Sequence, residues 1–422
     1  MNGSGAEADV KLLIAIPALS EEASIQSVIA RSLAAREQIL AASPVTDVEI
    51  TVVSDGSTDR TVELAQAFGD DIHLIVFPYN RGYGAAIKEA WERSDADLLG
   101  FLDADGTCDP RFFGPLCDTL MAEKADVVLG CRLNEKSRMP MVRRIGNGIF
   151  ASMLSVLSST RVRDTASGMR VVRRESLAQL YPLPDGLHFT PAMSARAMLS
   201  DRVKIVEIDM PYHEREGESK LRVAKDGFRF LKVIVDAAFL YRPARPLAML
   251  GLLWFGVAVS LMIMPTAYYL RHGAVQEWMI YRFVVSHLAG TNACLLLCAS
   301  YLTGRMAHVA LPEMGRSRFA GEPVRRFLSA PWFWLLPLAL MVAGGLLVLP
   351  SFVELVKTGA TYEHWSRFIA MSFCWSVSFT LIVTRGMDYV LDLLAAQLRY
   401  IKNTRTAPRD AGNDRAMNQT GT

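Results

Sequence analysis

Phe101-Leu102-Asp103-Ala104-Asp105-Gly106 decides how the rest of the chain is read. A strand pattern over 97–101 leads into two carboxylates spaced i, i+2, and a glycine then turns the chain toward a helix near Pro110. Residues i and i+2 of a strand share a face, so Asp103 and Asp105 can both reach into one crevice at the strand's carboxyl end. Paired hard oxygens suit Mg²⁺ or Mn²⁺, whose coordination is usually completed by substrate phosphates, which makes a metal-diphosphate site the working idea. An isolated Asp-x-Asp is as readily a polar strand-to-turn junction, so the flanking sequence has to decide.

On both sides the pattern is rhythmic. Strands expected over 11–16, 48–53, 72–77, 97–102 and 126–129 alternate with helices over 20–37, 59–68, 85–94 and 110–123, and a further strand is expected over 203–208. Such alternation predicts an α/β domain of βαβ units around a mostly parallel sheet, with ligands beyond the strands' carboxyl ends. Those ends are chemically alike. Pro17-Ala18-Leu19-Ser20-Glu21-Glu22 follows the first strand, Ser54-Asp55-Gly56-Ser57-Thr58-Asp59 the second, and Asn80-Arg81-Gly82-Tyr83-Gly84 the third. Asp59 is explained by capping the next helix, whereas no cap requires Asp55.

Composition bounds the alternatives. The 422 residues suggest two or three domains, and the 51% hydrophobic content is concentrated after about Arg245. A net charge of +2, with no basic stripe carrying interleaved aromatics, argues against a nucleic-acid partner. The six cysteines (108, 117, 131, 294, 298 and 374) show no C-x-x-C spacing, which points to neither a zinc site nor a disulfide framework and fits a reducing compartment. The polar segment 1–9 does not read as a signal peptide.

IPALSEE, VVSDGSTD, NRGYGAAI and the DADG turn, in this order and at these intervals, resemble the nucleotide-sugar-binding half of family-2 glycosyltransferases, in particular the polyprenyl-phosphate branch that includes dolichol-phosphate mannose synthase. The likeness spans about residues 10–240. Ser54 departs from it, since the family often carries a second Asp there. The resemblance implies a GT-A fold in which Pro17, Glu21, Asp55 and Asp103 surround a UDP- or GDP-sugar and Asp103 and Asp105 hold Mg²⁺ or Mn²⁺. A fixed cation would stabilise the charge that builds on a nucleoside diphosphate as its bond to sugar C1 breaks.

The following segment supplies cations. Arg132, Arg143, Arg144, Arg161, Arg163 and Arg170 surround Asp164-Thr165-Ala166-Ser167-Gly168, and arginine's planar fork suits phosphate. Asp164-x-x-x-Gly168-x-Arg170 resembles the family's acceptor-side motif, in which the Asp is a candidate base. Asp164 could equally orient the acceptor or bind Arg170. With Asp105 and Arg132 it completes the expected catalytic set. Arg215, Ser219 and Lys220 in HEREGESKL resemble the branch's acceptor-phosphate loop, joined there by Arg144 and Arg170. No Q-x-x-R-W signature follows, which argues against a processive polysaccharide synthase.

Residues 226–241 read as an interfacial helix or as a core helix of the first domain. Four uncharged runs then reach the length that spans about 30 Å of hydrocarbon. The organisation expected is a polar tail (1–9), a catalytic domain (10–224), a juxtamembrane helix (225–245), a membrane domain (246–386, spans near 246–270, 283–303, 328–352 and 367–386) and a tail (387–422). Arginines and lysines cluster before the first span, between the second and third, and after the fourth, which places both termini and the catalytic domain in the cytoplasm, on a bacterial inner membrane. The expected activity is inverting transfer of a sugar from a nucleotide-sugar to an undecaprenyl or dolichyl phosphate. Transfer to a lipid hydroxyl and a non-catalytic sensor are the alternatives, and a homo-oligomer is compatible with spans in excess of anchoring.

Overall fold

A computed structural model describes residues 9–134, 139, 141–158, 160–213, 223–310, 321–360 and 364–406. The chain divides into two compact units, Met1–Arg242 and Pro243–Thr422. In the first, the elements are β1 (Lys11–Ala18), α1 (Ile25–Ala42), β2 (Asp47–Asp55), α2 (Thr61–Gln66), β3 (His73–Phe77), α3 (Tyr83–Arg93), β4 (Leu98–Phe101), α4 (Phe113–Ala122) and β5 (Val127–Cys131). They continue with α5 (Met141–Leu157), β6 (Arg170–Arg173), α6 (Leu177–Leu180), α7 (Phe189–Leu199), β7 (Ile205–Asp209) and α8 (Val223–Tyr241).

The strands form one sheet of order β3-β2-β1-β4-β6-β5-β7. β1 is central and covered on both faces, so Leu12 to Ile16 are fully buried without the alternation of a half-exposed strand. It pairs in parallel with β2 on one side and β4 on the other, which makes the gap beyond the ends of β1 and β4 a topological switch point. Asp103 and Asp105 emerge at that point. Only β6 is antiparallel to its neighbours, β4 and β5, so the sheet is mixed and mostly parallel. The sequence reading has no strand at β6, because its apolar part is just Val171 and Val172 between arginines; both valines are fully buried between β4 and β5. α7 is likewise absent from it.

Helices cover the sheet through apolar faces. α1 buries Ile25, Val28, Ile29, Ala35 and Ile39, the spacing of one helical stripe. α4 lies so close to β4 that a Cβ built on Gly100 would sit 2.7 Å from Phe113 Cε1 and 3.0 Å from the Leu13 carbonyl. α8 packs one face against the rest of the first unit and leaves apolar side chains on the other exposed. Phe230, Ile234, Ala237, Ala238 and Tyr241 are buried, while Phe228, Val235 and Phe239 remain exposed.

The second unit contains α9 (Ala244–His272), α10 (Ile280–Ala310), α11 (Glu322–Ser329), α12 (Leu335–Thr358) and α13 (Trp365–Thr406). Among the described residues four helices are long and apolar enough to cross a membrane. The last of them, α13, continues well past 386, where a tail was expected. Three interior serines join neighbouring helices: Ser286 and Ser300 donate to the Ala258 and Ala244 carbonyls, and Ser378 donates to the Pro337 carbonyl. Tyr301 Oη (2.7 Å) and Arg305 Nε (3.2 Å) both reach Asp388 Oδ1, tying α10 to α13.

The close approach at Gly100 gives a direct test of the helix-to-strand fit. Gly100→Ala is expected to destabilise the first unit by about 1–3 kcal/mol, the usual cost of overpacking a filled core. Near-UV circular dichroism of the purified protein during thermal unfolding reads the loss.

Candidate active site

The strand ends enclose a cleft of about 490 Å³. β1 brings Pro17 and Glu21 to its wall, β2 brings Asp55, the start of α3 brings Tyr83, and the turn after β4 brings Asp103 and Asp105. Arg132 follows β5, Tyr212 follows β7, and α5 and α8 close the rim with Arg143, Asn147, Phe150, Arg229 and Phe230. The four expected donor-side residues and the carboxylate pair therefore share one cavity.

Local hydrogen bonds explain the placement. The loops after β1 and β2 are joined, with Ser20 N donating to Ser57 Oγ (3.0 Å), Glu21 N to Thr61 Oγ1 (2.8 Å) and Glu22 N to Asp59 Oδ2 (3.1 Å). Asp59 also accepts from Thr61 N at the start of α2, so capping is only half its work. Asp55 is 3% exposed and accepts from the backbone N–H groups of Arg81 (2.6 Å) and Gly82 (2.9 Å). Burial raises its carboxyl above the usual value, against the pull of those two donors and of the Arg81 charge.

The DADG turn is held from α1: Ser24 Oγ donates to the Ala104 carbonyl (2.6 Å), and Arg31 donates to the carbonyls of Gly106 (3.3 Å) and Cys108 (3.2 Å). Gly106 has φ +73°, a left-handed conformation that glycine adopts without strain. Each carboxylate of the pair accepts a hydroxyl on Oδ1, from Tyr83 Oη at Asp103 (2.6 Å) and from Thr107 Oγ1 at Asp105 (2.6 Å). Burial first, then the Asp103 charge, raises the Tyr83 phenol well above its ordinary value, so it remains a donor. Gly168 lies flat against Asp103, where a Cβ would fall 1.9 Å from Oδ2. As a metal site the donor set fits Mg²⁺ or Mn²⁺: two hard carboxylates, and among the described residues no cluster of three or more His, Cys, Asp or Glu, leave the remaining positions to phosphate and water.

Asp164 is fully buried and does not line the cleft. Its Oδ2 accepts from Arg132 N (3.0 Å) and Nε (2.7 Å), and its Oδ1 from Arg132 Nη2 (2.9 Å) and Asn147 Nδ2 (2.7 Å). Burial alone would raise this carboxyl, but the Arg132 charge and these hydrogen bonds outweigh it and hold the group below its usual range. The expected base thus stands behind Arg132, with Arg132 rather than Arg170 as its partner. Arg170 is corrected too. It is fully buried on β6 and donates to the Ser167 carbonyl (3.0 Å), Ser194 Oγ (2.9 Å) and the Thr165 carbonyl (2.9 Å), so it shapes the 164–170 turn and does not reach the cleft as an acceptor-phosphate ligand. Burial lowers it to about 10, which leaves it charged at neutral pH.

Arg144 is the third correction. On α5 the cleft-facing positions are Arg143, Gly146, Asn147 and Phe150, spaced as one helical face, and Arg144 projects elsewhere to donate to the Asn134 carbonyl (3.3 Å). Helical spacing in the sequence groups Arg143 with Asn147 and Phe150, and the rotation of α5 turns that face to the cleft. Nothing local in the sequence marks Tyr83 or Tyr212, whose ring faces the Arg132 guanidinium at 5.5 Å. Arg215, Ser219 and Lys220 lie outside the described residues.

Removing one partner of a buried pair leaves the other uncompensated, so Asp164→Asn is expected to cost about 3–5 kcal/mol in chemical denaturation. Because the folded carboxyl lies below its unfolded value, the wild-type advantage is complete above about pH 5 and shrinks as pH falls through the folded value. An advantage that grew on acidification would contradict the pairing.

Residues 13–181 match the model of glycosyl transferase family 2. The chain is 33% identical over 196 residues to a dolichyl-phosphate hexose transferase of Haloferax volcanii, covering 45% of this chain and 82% of that protein. It is 32% identical over 261 residues to the low-salt glycan biosynthesis hexosyltransferase Agl6 of the same organism, covering 59% of this chain and 61% of that protein, so it spans less than two thirds of Agl6. A dodecaprenyl-phosphate galacturonate synthase of Rhizobium johnstonii is 24% identical over 260 residues, 60% of this chain and 74% of that protein. Among solved structures, glucosyl-3-phosphoglycerate synthase of Mycobacterium tuberculosis, in complex with Mn²⁺, UDP and glucosyl-3-phosphoglycerate, superposes with a TM-score of 0.43 at 21% identity, over 55% of this chain and 81% of that one. With its mostly parallel α/β sheet and with strand-end motifs that share one cleft, the chain belongs to glycosyl transferase family 2.

Proposed function

We propose that the protein is a membrane glycosyltransferase that moves a sugar from a nucleotide-sugar, a UDP- or GDP-sugar, to a polyprenyl phosphate with inversion at the anomeric carbon. The observation that carries this reading is one cleft holding a carboxylate pair opposite Arg132 and Arg143. Pro17, Glu21 and Asp55 take the nucleotide at one end, and Asp103 and Asp105 hold Mg²⁺ or Mn²⁺ on its diphosphate. The bound ion supplies Lewis-acid stabilisation of the departing diphosphate. Arg143 presents its fork to phosphate oxygens, and Arg132, whose Nε and Nη2 are taken by Asp164, offers Nη1.

The acceptor's chemistry follows from Asp164. With both oxygens saturated by Arg132 and Asn147, it is poorly placed to remove a proton from a lipid alcohol. A lipid phosphate needs no base, because its oxygen is already ionised at neutral pH. That oxygen attacks sugar C1 from the face opposite the diphosphate, the C1–O bond breaks, and its electron pair leaves with the nucleoside diphosphate. Two relatives carry names of the same kind, a dolichyl-phosphate hexose transferase and a dodecaprenyl-phosphate galacturonate synthase. The exposed Phe228, Val235 and Phe239 of α8, beside Arg229 and Lys232, suit a helix at an anionic membrane surface on the cytoplasmic side.

Purified protein in detergent, given Mn²⁺ or Mg²⁺ with a panel of UDP- and GDP-sugars, is expected to release nucleoside diphosphate only when polyprenyl phosphate is present. Asp105→Ala should lose about 10²–10³-fold in kcat, the scale for removing a stabiliser of leaving-group charge. Turnover with a lipid alcohol and none with the phosphate would overturn the acceptor assignment. Arg143→Ala should lower kcat/KM by about 10- to 100-fold, as expected for a hydrogen bond to a charged group, whereas Arg144→Ala should leave it nearly unchanged.

A further inference from the structure

The two carboxylates are held by different means. Asp105 is fixed within its own turn, by the backbone N–H and hydroxyl of Thr107 two residues on. Asp103 is gripped from another element: the Tyr83 hydroxyl donates to its Oδ1 at 2.6 Å across twenty residues of chain, while Gly168 packs against its other side. Tyr83 itself is fixed at both ends. Its ring lies edge-on to Phe101 (6.4 Å) and to Phe189 (6.5 Å), beneath the cleft. Its backbone opens α3, which is pinned from one side by the Asp55 carboxylate, through Arg81 and Gly82 N–H, and from the other by the Asp185 carbonyl, which accepts from Gly84 N (2.6 Å) and Ala85 N (3.1 Å).

We infer that Tyr83 is a positioning residue for the metal-diphosphate site, its hydroxyl setting the plane of the Asp103 carboxylate and coupling that carboxylate to the Asp55 side of the cleft. The inference rests on the reading of Asp103 and Asp105 as the divalent-cation pair. A carboxylate ligand free to rotate must be ordered when the cation binds, and a phenol bonded to one oxygen does that ordering in advance. Outer groups that orient metal ligands in this way typically account for about 10- to 100-fold in affinity. Thr107 performs the same service for Asp105 from within the turn, whereas the Tyr83 contact ties Asp103 to a second element. A nucleotide that engages Asp55 and a cation that engages Asp103 therefore act on the two ends of one short connector, residues 81–83.

Tyr83→Phe removes the hydroxyl and keeps the ring. Mn²⁺ binding to the full-length protein in detergent, followed by the electron paramagnetic resonance of free Mn²⁺ with and without UDP, should weaken about 10- to 100-fold in this variant. In turnover the half-saturating Mn²⁺ concentration should rise by the same factor, and kcat should recover at high Mn²⁺, which a merely structural defect would not allow. Trp91→Phe serves as the packing control; it trims the same aromatic cluster against Phe101 and Phe189 and away from the Tyr83 ring, should lower the melting temperature, and should leave Mn²⁺ affinity unchanged. Wild-type affinity in Tyr83→Phe, with binding abolished in Asp105→Ala, would overturn the inference and leave the proposed function standing. An equal loss of affinity in Trp91→Phe would also overturn it, by assigning the effect to packing. Wild-type Mn²⁺ binding by Asp105→Ala would remove the cation pair itself and the inference with it.

Discussion

The ion pair between Arg132 and Asp164 is the constraint around which the α5 side of the cleft is built. Taking two charges out of water is costly, and the cost is offset only where geometry is good and every remaining donor and acceptor is met. Here a bidentate guanidinium, its own backbone N–H and the Asn147 amide fill both carboxylate oxygens. Asn147 is fixed in turn by Thr165, whose hydroxyl donates to its side-chain oxygen at 2.9 Å. The end of β5, the turn at 164–168 and the middle of α5 are thereby held together. Because Arg132 projects from this cluster into the cleft beneath the Tyr212 ring, its direction is decided by buried groups that no ligand touches.

The same economy governs the side formed by the ends of β1, β2 and β4. A parallel sheet directs the carboxyl ends of its strands to one edge, and the switch from β1 to β4 opens a gap there. The acidic groups that enter the gap after β2 and β4 are tied behind: Asp55 by two backbone N–H groups, the DADG turn by Ser24 and Arg31, and the two carboxylates by hydroxyls. Carboxylates and arginines line one cavity, so a phosphate-bearing ligand bound there would meet charges of both signs. Such preorganised charge is what stabilises a departing diphosphate without reorganisation at the moment of reaction.

In the second unit the physics is reversed. Its helices are apolar over membrane-spanning lengths, and several of the polar side chains within them connect neighbours. Serines donate to carbonyls of the adjacent helix, and Tyr301 with Arg305 converges on Asp388. In a hydrocarbon surrounding, such bonds are the specific part of helix association, since lipid tails are as apolar as the side chains they touch.

Much of this was legible in the sequence because it is local. Period-2 and period-3.6 patterns, glycine turns and the order of IPALSEE, VVSDGSTD, NRGYGAAI and DADG placed Pro17, Glu21, Asp55, Asp103 and Asp105 at strand ends, and strands of one parallel sheet end on one side. Uncharged runs of sufficient length marked the apolar helices without reference to any fold. Contacts between distant segments were not legible. β6 is a strand because β4 and β5 leave a slot that two valines fill; Arg170 is a core residue because three oxygens surround it; Asp164 pairs with a residue thirty-two positions away. Arg143 and Arg144 are adjacent and alike in composition, and only the rotation of α5 against its neighbours sends one into the cleft. Residue types and their spacing along the chain determine which chemistry is present, whereas burial and hydrogen-bond partners across the fold decide which of several like residues performs it, because a side chain's charge and reach are set by what surrounds it.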